Sequence, residues 1–234
     1  LVSACRPGPI DPALDLSFNR VDIEPSLEGL PEDHALMKIG AATIWEKTSG
    51  KNNQDERVVI AHIGTGVDYT NPDLRNALWM NPGELGESRS KNNFDDDGNG
   101  YADDVIGYDF FSGDGAPYDW HGHDSFTAGL MVAAGLKETS VRGLAPNASL
   151  MVLRYLGPDG RGSAMDAYLA IHYAIKHSAD SIYFNWPQGG FGERYDHLII
   201  GAIQAAGQSN IPVVIPAGND ANQGVAPLIA SGKL

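Results

Sequence analysis

The feature that most constrains the fold is a run of mainly apolar, β-branched residues, 57–63 (RVVIAHI), which stops at the tripeptide Gly-Thr-Gly. Such a run is typical of a strand that is buried on both faces and followed by a tight turn. Further apolar runs of strand length occur at 104–110, 149–155, 180–184 and 211–215. They alternate with helical patterns at 163–177 and 194–207. This alternation predicts an α/β fold with a parallel sheet that helices cover on both faces.

The helical segments carry their own signals. Ser163 and Asp166 form an approximate capping box, which precedes one apolar stripe made of Ala167, Ala170, Ile171, Ala174 and Ile175. The run 127–134 (TAGLMVAA) predicts a tightly packed helix that is broken by Gly135. A short helix packed on the main body is expected within 35–48. Ligands of such folds bind at the carboxyl ends of the strands, where the candidate residues lie.

Composition limits the partners of the chain. The formal net charge is −14, which argues against nucleic acid because phosphate binding needs a basic surface. No apolar run reaches the length of a transmembrane helix. The single cysteine excludes an internal disulfide bond. From the sequence we expect a monomer.

The N-terminal residues differ from the rest. Residues 6–33 are rich in Pro, Asp and Glu and show no sustained period, so we interpret 1–33 as a signal-peptide remnant and tether, and 34–234 as one domain. Cys5 follows Leu-Val-Ser-Ala, which is similar to the lipobox of bacterial lipoproteins. This similarity predicts a membrane tether through a lipidated Cys5 and an extracytoplasmic location, secreted or lipid-anchored. A chance match of four residues is the alternative.

An acidic loop at 95–104 (DDDGNGYADD) indicates a cation site. Four oxygen-bearing side chains fall at positions 1, 3, 5 and 9 of a calcium loop, namely Asp95, Asp97, Asn99 and Asp103. The backbone carbonyl of Tyr101 falls at position 7. Gly100 stands where the sharp turn needs it, but Ile106 replaces the usual bidentate glutamate. The alternative is a solvated acidic turn. We expect structural calcium, because these carboxylates would otherwise repel one another.

A histidine stands just before the helix predicted from 127, within the stretch 119–129 (DWHGHDSFTAG). A histidine held at the end of a buried helix is suited to proton transfer near neutral pH. One alternative is a loop histidine without a role. Another is a zinc site built from His121, His123 and Asp124, although no further histidine motif follows at a suitable place.

These segments together resemble the subtilases, the subtilisin-like serine proteases. The resemblance rests on four motifs in family order, which are 59–68 with 71–74 (VIAHIGTGVD and NPDL), 122–129 (GHDSFTAG), 145–148 with 160–163 (APNA and GRGS), and 213–219 (VVIPAGN). It runs from about residue 35 to the end of the chain. The acidic loop is similar to a calcium-binding insert of many bacterial members.

The resemblance implies an α/β fold, a three-layer doubly wound sandwich with a mostly parallel sheet, and with it a chemistry and a set of residues. The family cleaves peptide bonds with an Asp-His-Ser triad and an asparagine that donates to the oxyanion. Carried over by position, His123 is the general base and Asn219 the oxyanion donor. Gly162 and Ser163 lie where the backbone pairs with an extended polypeptide substrate, and Trp186 would alter one wall of the specificity cleft.

The chain departs from the family at the triad aspartate. Gly64 occupies that position and has no carboxylate, while Asp68 matches a different, non-catalytic position. His62 precedes Gly64 on the same strand face but cannot supply a negative charge. After the histidine the family has Gly-Thr-His-Val, whereas this chain begins the same segment with Asp124. Asp124 can interact with His123, but as a sequence neighbour it is not expected to reach the Nδ1 atom in the triad geometry.

The family's serine motif, Gly-Thr-Ser-Met-Ala, does not occur before Leu234, and Ser231 lacks its surroundings. The sequence therefore predicts a fragment of a longer protease domain that is inactive as it stands. The alternative is a non-catalytic subtilase-like module that binds peptides.

Overall fold

The computed structural model describes residues 12–32, 34–86, 88–136, 141–185 and 193–217. Within them the chain forms a sheet of five strands in the order β2-β3-β1-β4-β5, and every neighbouring pair is parallel. The strands are β1 Val59–Gly64, β2 Gly107–Asp109, β3 Ser149–Arg154, β4 Ser181–Phe184 and β5 Val213–Val214. The helices are α1 Ala35–Lys38, α2 Ala41–Trp45, α3 Pro72–Arg75, α4 His123–Val132, α5 Ala164–Lys176 and α6 Glu193–Gln208.

Strand β1 lies at the centre of the sheet, between β3 and β4. Its last residue, Gly64, stands opposite Arg154 of β3, and Ile63 stands opposite Phe184 of β4. Because all neighbours run in the same direction, the carboxyl ends of these strands meet at one edge. Gly64 therefore lies in the middle of the edge where a ligand of this fold would bind.

The two faces of the sheet are covered by different cores. On one face, Ala61 and Ile63 pack with residues of α5 and α6 in one apolar cluster. On the other face, Leu150 and Val152 pack with apolar residues that include Ala128 and Val132 of α4. Helices therefore cover both faces, which confirms the predicted α/β sandwich with its parallel sheet.

Most predicted elements are present, with changes at their ends. Helix α5 matches the capping prediction, since the Ser163 side chain accepts a hydrogen bond from the Asp166 amide. The single helix expected within 35–48 is wrong: Gly40 has a left-handed φ of 71° and separates two short helices. Helix α3 was not indicated by the apolar pattern, because its start depends on the Asn71 side chain and Pro72.

The described part of the predicted tether, 12–32, contains no helix or strand and contacts the body through hydrogen bonds. The Val21 amide donates to Asn76, the Ile23 amide donates to Asn147, and Arg57 donates to the Val21 carbonyl. In the described residues no helix is both long and apolar enough to cross a membrane. Cys5 lies outside the described residues, so its lipidation stays a prediction.

Buried side chains of the central strands contribute to the free energy of unfolding of the domain. We expect Leu153→Ala to lower the free energy of unfolding by about 2–5 kcal/mol, because Leu153 is fully buried in β3 and its loss leaves a cavity. The matched control is Leu130→Ala in α4, where the side chain is 49% exposed and the expected change is about 0.5 kcal/mol or less. Urea unfolding of both variants measures the difference. Equal effects would contradict this assignment of the core.

Candidate active site

The site forms where the end of β1 meets the start of α4. The carbonyl of Gly64 accepts hydrogen bonds from the amides of Tyr155 (2.9 Å) and Leu156 (3.0 Å), which fixes the end of the strand. The hydroxyl of Thr65 accepts a hydrogen bond from the Asp124 amide at 3.2 Å. Sequence positions about sixty residues apart are thus joined at the carboxyl edge of the sheet.

The turn before α4 is built around Asp119, a buried carboxylate. One of its oxygens accepts from the amides of His121 (2.9 Å) and Gly122 (2.8 Å), and the other accepts from the amide and hydroxyl of Ser125. Gly122 adopts a left-handed φ of 87°, which favours glycine. This turn starts the helix at His123, earlier than the sequence pattern predicted.

His123 is held through its Nδ1 atom, which lies 2.6 Å from Oδ1 of Asp124. The hydrogen bond that His123 donates to Asp124 raises the pKa of the histidine above its ordinary value. Because a carboxylate only accepts, the proton lies on Nδ1 and Nε2 is left as the basic atom. The His123 side chain is 46% exposed. The expectation that Asp124 would not reach Nδ1 is therefore wrong.

Asp124 reaches the histidine because its carboxylate turns into the space beside Gly64. The side chain is fully buried, and its Oδ2 accepts from the Thr65 amide at 2.5 Å. Its Oδ1 also accepts from Nδ2 of Asn185 at 3.0 Å. A Cβ atom built on Gly64 would lie 1.6 Å from Oδ2. Only a residue without a side chain leaves room at position 64 for this carboxylate.

His62 lies behind Asp124. The ring is fully buried, stacks on Tyr183 with 5.0 Å between the ring centroids, and has Nε2 3.0 Å from the Thr127 hydroxyl. Its Nδ1 atom lies 4.0 Å from Oδ2 of Asp124 and has no hydrogen-bond partner among the described residues. Burial lowers the pKa of His62, which favours the neutral ring. His62 therefore lies beside the carboxylate without a hydrogen bond to it.

The predicted substrate-binding residues lie in the turn after β3. Gly162 forms an antiparallel bridge with Leu156, and the Ser163 hydroxyl caps α5. A Cβ on Gly160 would lie 3.5 Å from Nε2 of His121, which places this turn beside the histidine motif. The remaining predicted residues, Trp186 and Asn219, lie outside the described residues.

The acidic loop brings together Glu84, Asp95 and Asp97, whose carboxylate oxygens lie within 4.8 Å of one another. Glu84 is fully buried, and its Oε2 has no hydrogen-bond partner among the described residues. Burial raises the pKa of Glu84. The calcium-loop spacing did not indicate Glu84, because this residue belongs to the preceding turn.

The other predicted ligands make different contacts. Asp103 accepts from the amides of Asn92 and Asn93, both at 2.9 Å. The side chain of Asn99 donates to Asp104 at 2.8 Å and accepts from the Tyr101 amide at 2.8 Å. Among the described residues, no second group of three candidate metal ligands forms, so His121, His123 and Asp124 are not assembled as a zinc site.

Comparison with known proteins identifies the family. The sequence model of the subtilase family matches residues 55–231. The chain belongs to the subtilase family. The subtilisin-like protease 1 of Plasmodium berghei (strain Anka) is 29% identical over 168 residues, which cover 71% of this chain and 27% of that protein.

Bacterial subtilases are similar to the chain at comparable identity. The major intracellular serine protease of Bacillus subtilis (strain 168) is 30% identical over 193 residues, which cover 82% of this chain and 50% of that protein. The thermophilic serine proteinase of Bacillus sp. (strain AK1) is 31% identical over 138 residues, 59% of this chain and 27% of that protein. The chain thus spans half or less of the length of these subtilases.

A solved structure confirms the subtilase fold. The crystal structure of a cold adapted subtilisin-like serine proteinase matches with a TM-score of 0.50 at 20% identity, covering 74% of this chain and 49% of that chain. At this identity the likeness supports the fold only.

Proposed function

We propose that the chain contributes the general base of a serine endopeptidase. The observation that supports this most is the hydrogen bonding and exposure of the His123 side chain. Its Nδ1 bonds a buried carboxylate, while its imidazole is partly exposed at the edge of the sheet where the family places its active site. A histidine fixed in this tautomer is suited to accept a proton at Nε2.

In the proposed reaction, Nε2 of His123 removes the proton from a serine hydroxyl as the oxygen attacks the peptide carbonyl. The same nitrogen then returns the proton to the leaving amine, and the carboxylate on Nδ1 stabilises the imidazolium formed between the two steps. A polypeptide substrate would lie along the turn that contains Gly162 and Ser163. Asn219 would donate to the oxyanion, and Trp186 would line the specificity cleft.

This proposal is tested on the protein encoded by the whole reading frame, followed through codon 234 to its stop codon. The folded protein is treated with a fluorophosphonate probe, which reacts with activated serines, and the labelled residue is located by mass spectrometry. We expect one serine to be labelled and the labelling to disappear when the protein is denatured first. A folded protein that stays unlabelled would contradict the proposal and favour the non-catalytic peptide-binding module.

We also propose that the acidic loop binds structural calcium through Glu84, Asp95 and Asp97. Hard carboxylate oxygens suit this ion, and the buried, unpartnered Oε2 of Glu84 fits a cation that completes its contacts. The cation would also offset the repulsion among the three charges. Asp103 is left out of this ligand set because it is not part of the group whose carboxylate oxygens lie within 4.8 Å of one another.

Calcium removal should destabilise the domain. At a calcium concentration about 100 times the Kd, binding adds about 2.7 kcal/mol, so a chelator should lower the melting temperature by several degrees. We expect Glu84→Gln to weaken calcium binding by about tenfold or more. Asp103→Asn is the control, and its calcium affinity should stay unchanged even if the loop is less stable. Calorimetric titration measures the calcium affinity of both variants. Weaker binding in Asp103→Asn together with unchanged binding in Glu84→Gln would contradict this ligand set and favour the set predicted from spacing.

A further inference from the structure

We infer that Asp124 has taken over the orienting role of the aspartate that Gly64 replaces. The carboxylate has moved from the end of β1 to the first turn of α4, and the glycine makes the space that it occupies. This inference rests on the proposed function, because the role concerns the histidine of the proposed reaction. In it Asp124 is a positioning residue that acts through His123.

The first support is that the two positions compete for one volume. A Cβ on Gly64 would lie 1.6 Å from Oδ2 and 2.7 Å from Cγ of Asp124. A side chain that began at residue 64 would thus start where the carboxylate of Asp124 now ends. An aspartate at 64 would direct its own carboxylate from there towards Nδ1 of His123. One position can therefore replace the other, but both cannot be filled.

The second support is that donors surround both oxygens of the buried carboxylate. Oδ2 accepts from the Thr65 amide at 2.5 Å, while Oδ1 accepts from Asn185 at 3.0 Å and faces Nδ1 of His123 at 2.6 Å. Hydrogen bonds to an ionised acceptor are stronger than neutral ones, so these contacts hold the carboxylate in one orientation. An acid placed there by chance would be expected to turn towards solvent.

The third support is the arrangement of titratable groups around the pair. These groups come from β1, the turn before α4, the residue after β3, and β4, and they are His62, Asp119, His121, Tyr155 and Tyr183. His62 is neutral because it is buried, and Asp119 is engaged by the amides of its own turn. Asp124 is the carboxylate hydrogen-bonded to His123 in the part of the chain that the structure describes.

The experiment exchanges the two residues in the protein encoded by the whole reading frame. Four proteins are compared: the parent, Asp124→Gly, Gly64→Asp, and the double variant Gly64→Asp/Asp124→Gly, which has the family residue at both positions. Two readouts are taken from each. The pKa of His123 is measured by NMR, which needs no nucleophile, and the second-order rate of fluorophosphonate labelling reports on activity.

We expect Asp124→Gly to lower the pKa of His123 and to slow labelling by about four orders of magnitude. Gly64→Asp should perturb both readouts, because two carboxylates then compete for one space. The double variant should recover the pKa and bring labelling to within about a hundredfold of the parent, far above either single variant. Recovery in the double variant is not explained by a merely structural role of Asp124.

Other outcomes would overturn the inference. An unchanged His123 pKa in Asp124→Gly would show that another group holds the ring. A double variant no better than the single variants would show that the positions are not exchangeable. If the parent is unlabelled, the proposed function fails, and the NMR series still decides whether Asp124 positions His123. If Asp124→Gly does not fold, Asp124→Asn replaces it in the same measurements.

Discussion

Replacing Asp124 by asparagine should lower kcat/KM by about four orders of magnitude, the cost of losing the orienting aspartate in related serine proteases. The expected cause is the wrong histidine tautomer. The Thr65 amide can only donate, so the carbonyl oxygen of the new amide will face it. The NH₂ group then faces Nδ1 of His123, which has to accept, and the proton moves to Nε2. Hydrolysis of labelled casein by the protein of the whole reading frame measures the effect.

The same variant should change the pH dependence in a defined direction. The hydrogen bond donated to the Asp124 carboxylate raises the pKa of His123, and only the unprotonated ring can act as a base. Activity of the parent therefore falls as the pH drops through this raised pKa. Asp124→Asn removes the cause, so the residual activity should persist to lower pH. A variant that lost activity only through poor folding would keep the parent's pH profile.

The control for this prediction is Asp55→Asn, which makes the same chemical change at a surface position. Asp55 is 85% exposed, bonds Lys51 at 3.1 Å, and has a left-handed φ of 64° that asparagine also tolerates. Its kcat/KM and pH profile should match those of the parent. A similar loss in both variants would show that the effect is not specific to the residue beside His123.

The sheet could be predicted because its signals are local. A strand buried on both faces requires apolar residues at successive positions, and a helix start such as that of α5 requires a cap at a fixed spacing. These patterns locate β1 and α5 without knowledge of the rest of the chain. The ends of elements were less certain, because they depend on single backbone angles such as that of Gly40.

The position of Asp124 could not be predicted from local rules. Neighbouring residues of a helix do not normally face each other, which argued against a contact with His123. The rule fails here because the carboxylate occupies the space beside Gly64, a residue of β1. The sequence did contain a signal: the family's aspartate is a glycine at position 64, and the family's glycine after the histidine is an aspartate at position 124. Considered together, the loss of an aspartate at one position and its gain at the other indicate that the carboxylate has changed position.

In the acidic loop, too, local spacing predicted part of the carboxylate group and missed the rest. Its spacing placed Asp95 and Asp97 in one predicted ligand set, and their carboxylates lie in one group of three. The third carboxylate of that group, Glu84, comes from a turn outside the loop, so the spacing rule could not include it. The rule assigned position 9 to Asp103, which is not part of that group. Local spacing therefore located the loop but did not choose between these two acids.

The second large effect is expected from Gly64→Ala, a substitution that removes no polar group from the site. The new methyl group would lie 1.6 Å from Oδ2 of Asp124, so the carboxylate would be displaced from the Thr65 amide and from His123. Because the acid is buried, its lost hydrogen bonds should cost about 2–4 kcal/mol of unfolding free energy. Displacing it from Nδ1 should also lower kcat/KM by about a hundredfold or more.

A matched glycine-to-alanine change separates this steric effect from helix or strand propensity. Gly201 lies in α6, and a Cβ built there has no atom within 4 Å, so Gly201→Ala should be neutral or stabilise the domain by up to about 1 kcal/mol. Urea unfolding and casein hydrolysis are measured for both variants. A Gly64→Ala protein as stable and active as the parent would show that the carboxylate does not need this space.

The double variant Gly64→Ala/Asp124→Gly then separates stability from catalysis. Removing the displaced carboxylate should restore most of the stability lost in Gly64→Ala, because the methyl group no longer meets a buried acid. It should not restore kcat/KM, because no carboxylate is left on Nδ1 of His123. Recovery of folding without recovery of rate would mean that Gly64 is required for the space it leaves, and that the chemistry comes from Asp124.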